Sequence, residues 1–111
     1  KLTRSDGEIE WKHAAAYIER KIRAFYPWPG TFTYFPDGQL VKIFPEVLIG
    51  ENFDEEAGKI MSMNSNSLVV SCGEGSIQLS KIQPSGRKKM TLSSYMSGKK
   101  IKLGEFLGIK S

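Results

Sequence analysis

Ile22-Arg23-Ala24-Phe25-Tyr26-Pro27-Trp28-Pro29-Gly30-Thr31-Phe32 is the stretch that decides the fold. It joins the end of an apolar-striped segment to an aromatic, β-branched run through two prolines separated by one tryptophan. Pro27 and Pro29 remove two backbone donors and push Tyr26 and Trp28 toward extended conformations, so a helix cannot run past Phe25 or Tyr26. Gly30 then relieves the chain before a strand begins.

Upstream, Ala15, Ile18, Ile22 and Phe25 recur at spacings of three and four over residues 12–25. They form one apolar stripe on a helix, with Lys12, Glu19, Arg20 and Arg23 elsewhere on its surface. Residues 1–10 are polar and read as an extended linker with a turn at Asp6-Gly7 and anchors at Ile9 and Trp11. Downstream, residues 31–35 and 39–44 flank Pro36-Asp37-Gly38, which predicts a hairpin because proline presets φ and glycine accepts positive φ. An acidic loop over residues 51–56 precedes strands at 59–63, 68–72 and 76–82, which Asn64-Ser65-Asn66 and Gly73-Glu74-Gly75 separate. Between Leu79 and Ile82 the alternation slips by one, which marks a bulge or strand end near Lys81. A short helix over residues 91–97, with Leu92, Tyr95 and Met96 on its apolar side, stops at Gly98, and a basic tail follows. Short strands joined by turn signals predict a small barrel.

A chain of 111 residues makes one domain with a modest core. Its apolar runs are too short to span a bilayer, and 40% hydrophobic residues exclude a disordered-type composition. The single cysteine, Cys72, cannot form an internal disulfide, which points to a reducing, cytoplasmic compartment. No signal sequence is evident, and a start at Lys1 rather than Met is expected of a piece of a longer chain. The net charge of +4 is unevenly spread. Residues 1–44 carry +2, residues 45–80 carry −5 and residues 81–111 carry +7. A solvated face is the bland account of such a cluster; the functional one is a polyanion, whose condensed counterions each Lys or Arg releases.

Nine of the twelve aromatic residues fall between Trp11 and Phe44. They are either a base-stacking platform or the core where helix, prolines and hairpin meet. The core reading is the simpler, because these residues lie on the element that must cover the barrel mouth. It puts Trp28 against Phe25 and the first hairpin, largely buried.

A catalytic reading fails on inventory. His13, the lone histidine, stands beside Lys12 at the start of the helix, where an exposed polar residue is expected. Cys72 lies late in an apolar strand and reads as a small core residue. One Cys and one His cannot build the usual zinc sites, and Asp54-Glu55-Glu56 lacks the spacing of a calcium loop. Gly73-Glu74-Gly75 is a turn without the residues of a phosphate cradle. The most specific basic motif is Gln83-Pro84-Ser85-Gly86-Arg87-Lys88-Lys89-Met90, whose proline and glycine hold a tight bend from which three cations project.

The double-proline junction resembles the helix-to-barrel junction of methionyl-tRNA formyltransferase C-terminal domains. The match extends to Lys1-Leu2-Thr3-Arg4, Ile9-Glu10-Trp11, Gln39-Leu40-Val41-Lys42-Ile43-Phe44 and Ile82-Gln83-Pro84-Ser85-Gly86-Arg87-Lys88-Lys89-Met90, and it is weakest over residues 51–67. The resemblance implies an α+β, mainly β fold: one amphipathic helix, an open Greek-key OB-like barrel of five or six strands, and a short C-terminal helix. Residues 1–10 would be the remnant of an interdomain linker and residues 11–111 the tRNA-binding domain.

In that family an N-terminal Rossmann-like domain carries the Asn, His and Asp that do the chemistry and holds formyl-tetrahydrofolate. No catalytic, metal or cofactor residue is therefore expected in this chain. The resemblance implies a monomer, away from membranes, with a basic surface that holds initiator methionyl-tRNA for formylation by the other domain in translation initiation. The tRNA-contacting candidates are Lys1 and Arg4 at the linker, Arg23 on the helix, Lys42 on the hairpin, and Arg87, Lys88 and Lys89. For Arg23 a structural pairing with Glu19 competes, and for Lys42 a stem lying along apolar neighbours. Two other readings are the corresponding domain of a sugar-nucleotide formyltransferase or formyl-tetrahydrofolate hydrolase, and a stand-alone interaction module with an aromatic protein-binding face. The basic loop argues against the first, because a small substrate bound in another domain needs no basic patch here.

Overall fold

Strand parity sets the direction in which the first hairpin faces. β1 (Thr31–Tyr34) and β2 (Leu40–Ile43) pair antiparallel, with Thr31 opposite Ile43 and Tyr34 opposite Leu40. Phe35 is fully buried. Counting back in twos puts Thr33 and Thr31 on the inner face with it, and Phe32 and Tyr34 on the outer face. The inward threonines are both satisfied: Thr31 Oγ1 donates to the Ile43 carbonyl at 3.1 Å, and Thr33 Oγ1 accepts from the Trp11 indole Nε1 at 2.9 Å. Small side chains inside the hairpin leave the space that this buried indole fills.

This computed structural model describes residues 2–64, 66–97 and 101–109. The remaining strands are β3 (Leu48–Gly50), β4 (Ile60–Met63), β5 (Leu68–Ser71), β6 (Ser76–Leu79), β7 (Lys81–Pro84) and β8 (Met90–Thr91). They form two antiparallel sheets of four strands, ordered β1-β2-β7-β8 and β3-β6-β5-β4. In the second sheet β4, β5 and β6 follow as a meander while β3 lies beside β6, which is a Greek key. The sheets do not close into a continuous barrel. Among the described residues the fold is mainly β with two α-helices, as expected, but with eight short strands rather than five or six. Two of the additions, β3 and β8, are only three and two residues long. The third arises because residues 76–82 are two strands: Leu79 and Ile82 both point fully inward at odd spacing, and at Ser80 the chain passes from one sheet to the other.

The helix α1 (Ala15–Phe25) buries Ala15, Ile18 and Ile22, the expected stripe. It starts three residues later than its pattern suggests. Gly73, in the turn between β5 and β6, donates its amide to the carbonyls of Trp11 and His13, holding residues 11–13 in a turn. Ala14 has no side chain to cap the helix, and the Ala15 amide instead donates to the Glu74 carbonyl at 2.7 Å. Only glycine fits at position 73, since a Cβ there would collide with the Lys12 carbonyl. At its far end Tyr26 leaves the helix with extended backbone (φ −83°, ψ 136°), and the Gly30 amide closes the proline loop onto the Phe25 carbonyl at 2.9 Å.

That loop overturns the expectation for Trp28. Pro29 is buried, while Trp28 is 63% exposed and Tyr26 47% exposed. The space under the hairpin already belongs to Trp11, so the proline loop carries its own indole outward.

The core is continuous through Ile18, Phe35, Val41, Leu68, Ile77 and Ile82. A short second helix, α2 (Leu92–Met96), packs Tyr95 edge-on against Phe35 at 5.2 Å, and Thr91 caps it by accepting the Ser94 amide at 3.2 Å. Cys72 is buried, as expected of a core residue, and burial pushes its thiol from 9.0 up to about 12. His13 is exposed, with its ring edge-on to Tyr17. Lys1 and Gly98, named above as a phosphate contact and a helix stop, lie outside the described residues.

Candidate nucleic-acid interface

The outer face of the first sheet inherits the residues that parity excludes from the core. Register places Phe32, Lys42 and Gln83 in one row across β1, β2 and β7. On β2 the same parity turns Leu40 and Phe44 outward with Lys42.

One wall of this face comes from the N-terminal segment. Residues Arg4–Gly7 wind into a 3₁₀ turn, in which the Asp6 carboxylate accepts from the Thr3 amide at 2.7 Å and from the Thr3 hydroxyl at 3.2 Å. The Ile9 amide then donates to the Phe32 carbonyl at 2.9 Å, laying the segment alongside β1. A cleft of about 340 Å³ lies between this turn and the β7–β8 connection, and Arg4, Phe32, Lys42, Gln83 and Ser85 line it. Among the described residues, no carboxylate or histidine lines the cleft. It can attract an anion, but it has no group that would exchange a proton near neutral pH.

The other wall is the basic bend. The Arg87 amide donates to the Pro84 carbonyl at 3.0 Å, and Gln83 Nε2 donates to the Arg87 carbonyl at 2.8 Å, so the loop is a bonded turn with Arg87, Lys88 and Lys89 exposed on it. Lys89 Nζ stands 4.6 Å from the centre of the Phe44 ring, a cation–π contact, and Phe44 meets Tyr26 edge-on at 6.1 Å. Arg87 lies in the field of a second group. Burial first, then the charge and hydrogen bond of Asp37, push the Tyr95 phenol up to about 12, and Arg87 opposes them. Asp37, at the tip of the β1–β2 hairpin, and Arg87 thus both act on the Tyr95 phenol, in opposite directions.

The structure therefore brings Arg4 and Lys42 into one cleft with residues 83–86, the start of the bend on which Arg87, Lys88 and Lys89 follow exposed, although these three do not themselves line the cleft. Arg23 stands apart. It lines no part of this cleft, and its guanidinium is held by Glu19, with Nε to Oε2 at 2.6 Å and Nη2 to Oε1 at 3.1 Å. That pairing raises the Arg23 pKa further. Phe32, Tyr34 and Phe44 were assigned to the core by composition and instead lie half-buried on the outer face. Lys42 held the signal that finds Phe44, because a solvent-facing lysine in a strand turns the residue two positions on to the same side. Among the described residues no group of three or more His, Cys, Asp or Glu could hold a metal ion, and no helix is long and apolar enough to cross a membrane.

Comparison with known proteins supplies a family. Residues 1–100 match the model of the formyl transferase C-terminal domain. A methionyl-tRNA formyltransferase of Pseudoalteromonas translucida is 36% identical over 101 residues, covering 89% of this chain and 31% of that protein. One from Gluconacetobacter diazotrophicus is 38% identical over 108 residues, covering 97% of this chain and 34% of that protein. The chain thus spans about a third of the length of the curated relatives that it matches. Among solved structures, HypX from Aquifex aeolicus superposes with a TM-score of 0.72 at 12% identity, over 96% of this chain and 22% of that one, a likeness of fold alone. On the family match, the chain belongs to the formyl transferase C-terminal domain family.

Proposed function

We propose that this chain is the tRNA-binding domain of a methionyl-tRNA formyltransferase, and that it holds initiator methionyl-tRNA by its phosphates while a catalytic domain in the same polypeptide formylates the amino group. The observation that carries this reading is that Arg4 and Lys42 share a cleft with residues 83–86, the start of the bend whose Arg87, Lys88 and Lys89 are exposed. Cations suit the phosphates that every RNA carries, so the contact is with the RNA backbone and carries little base specificity. The formyl donor, formyl-tetrahydrofolate, belongs to the catalytic domain, since this cleft offers a folate no acid or base to work with. The setting is the cytoplasm, during initiation of translation.

A salt titration of tRNA binding tests the reading. The logarithm of affinity should fall linearly with the logarithm of salt concentration. Replacing Arg87, Lys88 and Lys89 together with Ala should flatten that line by up to about one unit per lost contact. Unrelated tRNAs should weaken about equally. A variant with unchanged affinity and slope would remove the bend from the interface, and a chain that does not bind tRNA at low salt would end the proposal.

A further inference from the structure

An indole that is 63% exposed is unusual, and the setting of Trp28 makes it more so. Its neighbour Pro29 is buried and lines the basic cleft, so Trp28 is one residue from the cleft's lining. The loop that carries it is stiff: prolines flank it on both sides, and the Gly30 amide ties the far end to the Phe25 carbonyl. Tyr26, 47% exposed, stands on the same loop and leads by ring contact to Phe44 and through it to Lys89. Phe32 forms part of the cleft floor beside Lys42. Aromatic rings and cations are therefore interleaved from the cleft to the basic bend.

Cations alone suit the phosphates of a duplex, whose bases are stacked on each other and offer side chains no free face. Rings between the cations suit a strand whose bases are unpaired, because every base has a face that stacks on an aromatic side chain whatever its identity. A rigid ring held in solvent loses little freedom when a base covers it, which favours binding. A purely apolar protein surface would match Trp28 but would leave Arg4, Lys42 and Lys89 without partners. We propose that Trp28, with Tyr26, is a stacking platform for unpaired nucleotides, and that this face takes a single-stranded stretch of RNA beside its phosphate-binding cleft. The inference rests on the RNA-binding reading above and adds to it a preference that phosphate contacts cannot produce.

The molecule carries its own probe. Trp11 and Trp28 are the two tryptophans, and Trp11 is buried and bonded to Thr33, so a change in indole fluorescence on adding RNA reports on Trp28. The probes are an unstructured single-stranded RNA and a fully paired RNA hairpin of equal phosphate number, each end-labelled so that anisotropy gives affinity independently. The single strand should quench saturably and the hairpin should not. Trp28→Ala should weaken the single strand by about tenfold, within the range for losing one stacked base, and change the hairpin less than about twofold. Trp28→Phe should restore much of the loss. The Arg87, Lys88 and Lys89 triple variant should weaken both RNAs together. Equal loss of both RNAs in Trp28→Ala, or single-strand binding without quenching, would overturn the platform while leaving the phosphate reading standing. Failure of both RNAs and of tRNA to bind would overturn both, and would give Trp28 to a protein partner.

Discussion

Trp11 places its indole in the core and donates it to Thr33, whereas Trp28 holds an equal ring in solvent. Substitution should separate them sharply. Trp11→Phe leaves the buried Thr33 hydroxyl without its partner and should cost about 1–3 kcal/mol in a denaturant melt. Trp28→Ala deletes exposed surface and should stay within about 0.5 kcal/mol of the parent. Hydropathy weighs the two residues alike, and for that reason composition placed both inside. What distinguishes them is a count of alternate positions from Phe35, which turns threonines inward and opens the space that one indole can fill. Cys72 gives a second test at this scale. Its folded thiol titrates near 12 against an ordinary 9.0, so folding favours the protonated form. Its contribution is fully present below about pH 9 and is lost as pH rises toward 12, a direction that Tyr95, also raised to about 12, reinforces. Cys72→Ala should flatten the fall in stability over that window, and native protein at pH 8 should resist alkylation until denaturant is added.

The elements were legible in the sequence where their signals were local. The stripe of α1, the proline stop after it, the Pro36-Asp37-Gly38 hairpin and the slip before Lys81 all lie within a few residues of what they determine. The start of α1 was not legible, because its cap is a carbonyl from Glu74, far along the chain. Nor were β3 and β8, which are too short to show alternation and exist through their neighbours in the sheets. Of the cleft, Arg4 and Lys42 could be named from sequence, whereas their meeting depends on how the N-terminal turn lies along the first sheet, and of the two readings of Arg23 only the structure shows the pairing with Glu19. Two substitutions probe these junctions. Thr91→Ala removes the one side-chain cap of a five-residue helix and should cost about 0.5–2 kcal/mol, with loss of the Tyr95 contact to Phe35 visible as sharpened Tyr95 ring dynamics by NMR. Gly73→Ala forces a Cβ into the Lys12 carbonyl and should cost more than the roughly 1 kcal/mol of an ordinary glycine replacement, with amide exchange fastest at Ala15 and its neighbours.

At the scale of the whole molecule the two sheets divide the labour. Both contribute to one core, but the cationic cleft belongs to the first, and the connection between β3 and β4 in the second carries the acidic residues 51–56. If binding is the role of this chain, the chain alone should transfer no formyl group from formyl-tetrahydrofolate to methionyl-tRNA, and product above a no-protein control would contradict that assignment. The separation of charge has a further effect. Residues 45–80 carry −5 and residues 81–111 carry +7, and salt at 0.1 M screens such charges over roughly 10 Å. A polyanion is drawn to the basic residues and repelled by the acidic ones, so its approach is steered before contact. If the cleft binds RNA, added salt should therefore slow association by weakening that steering, which stopped-flow binding at several salt concentrations would read.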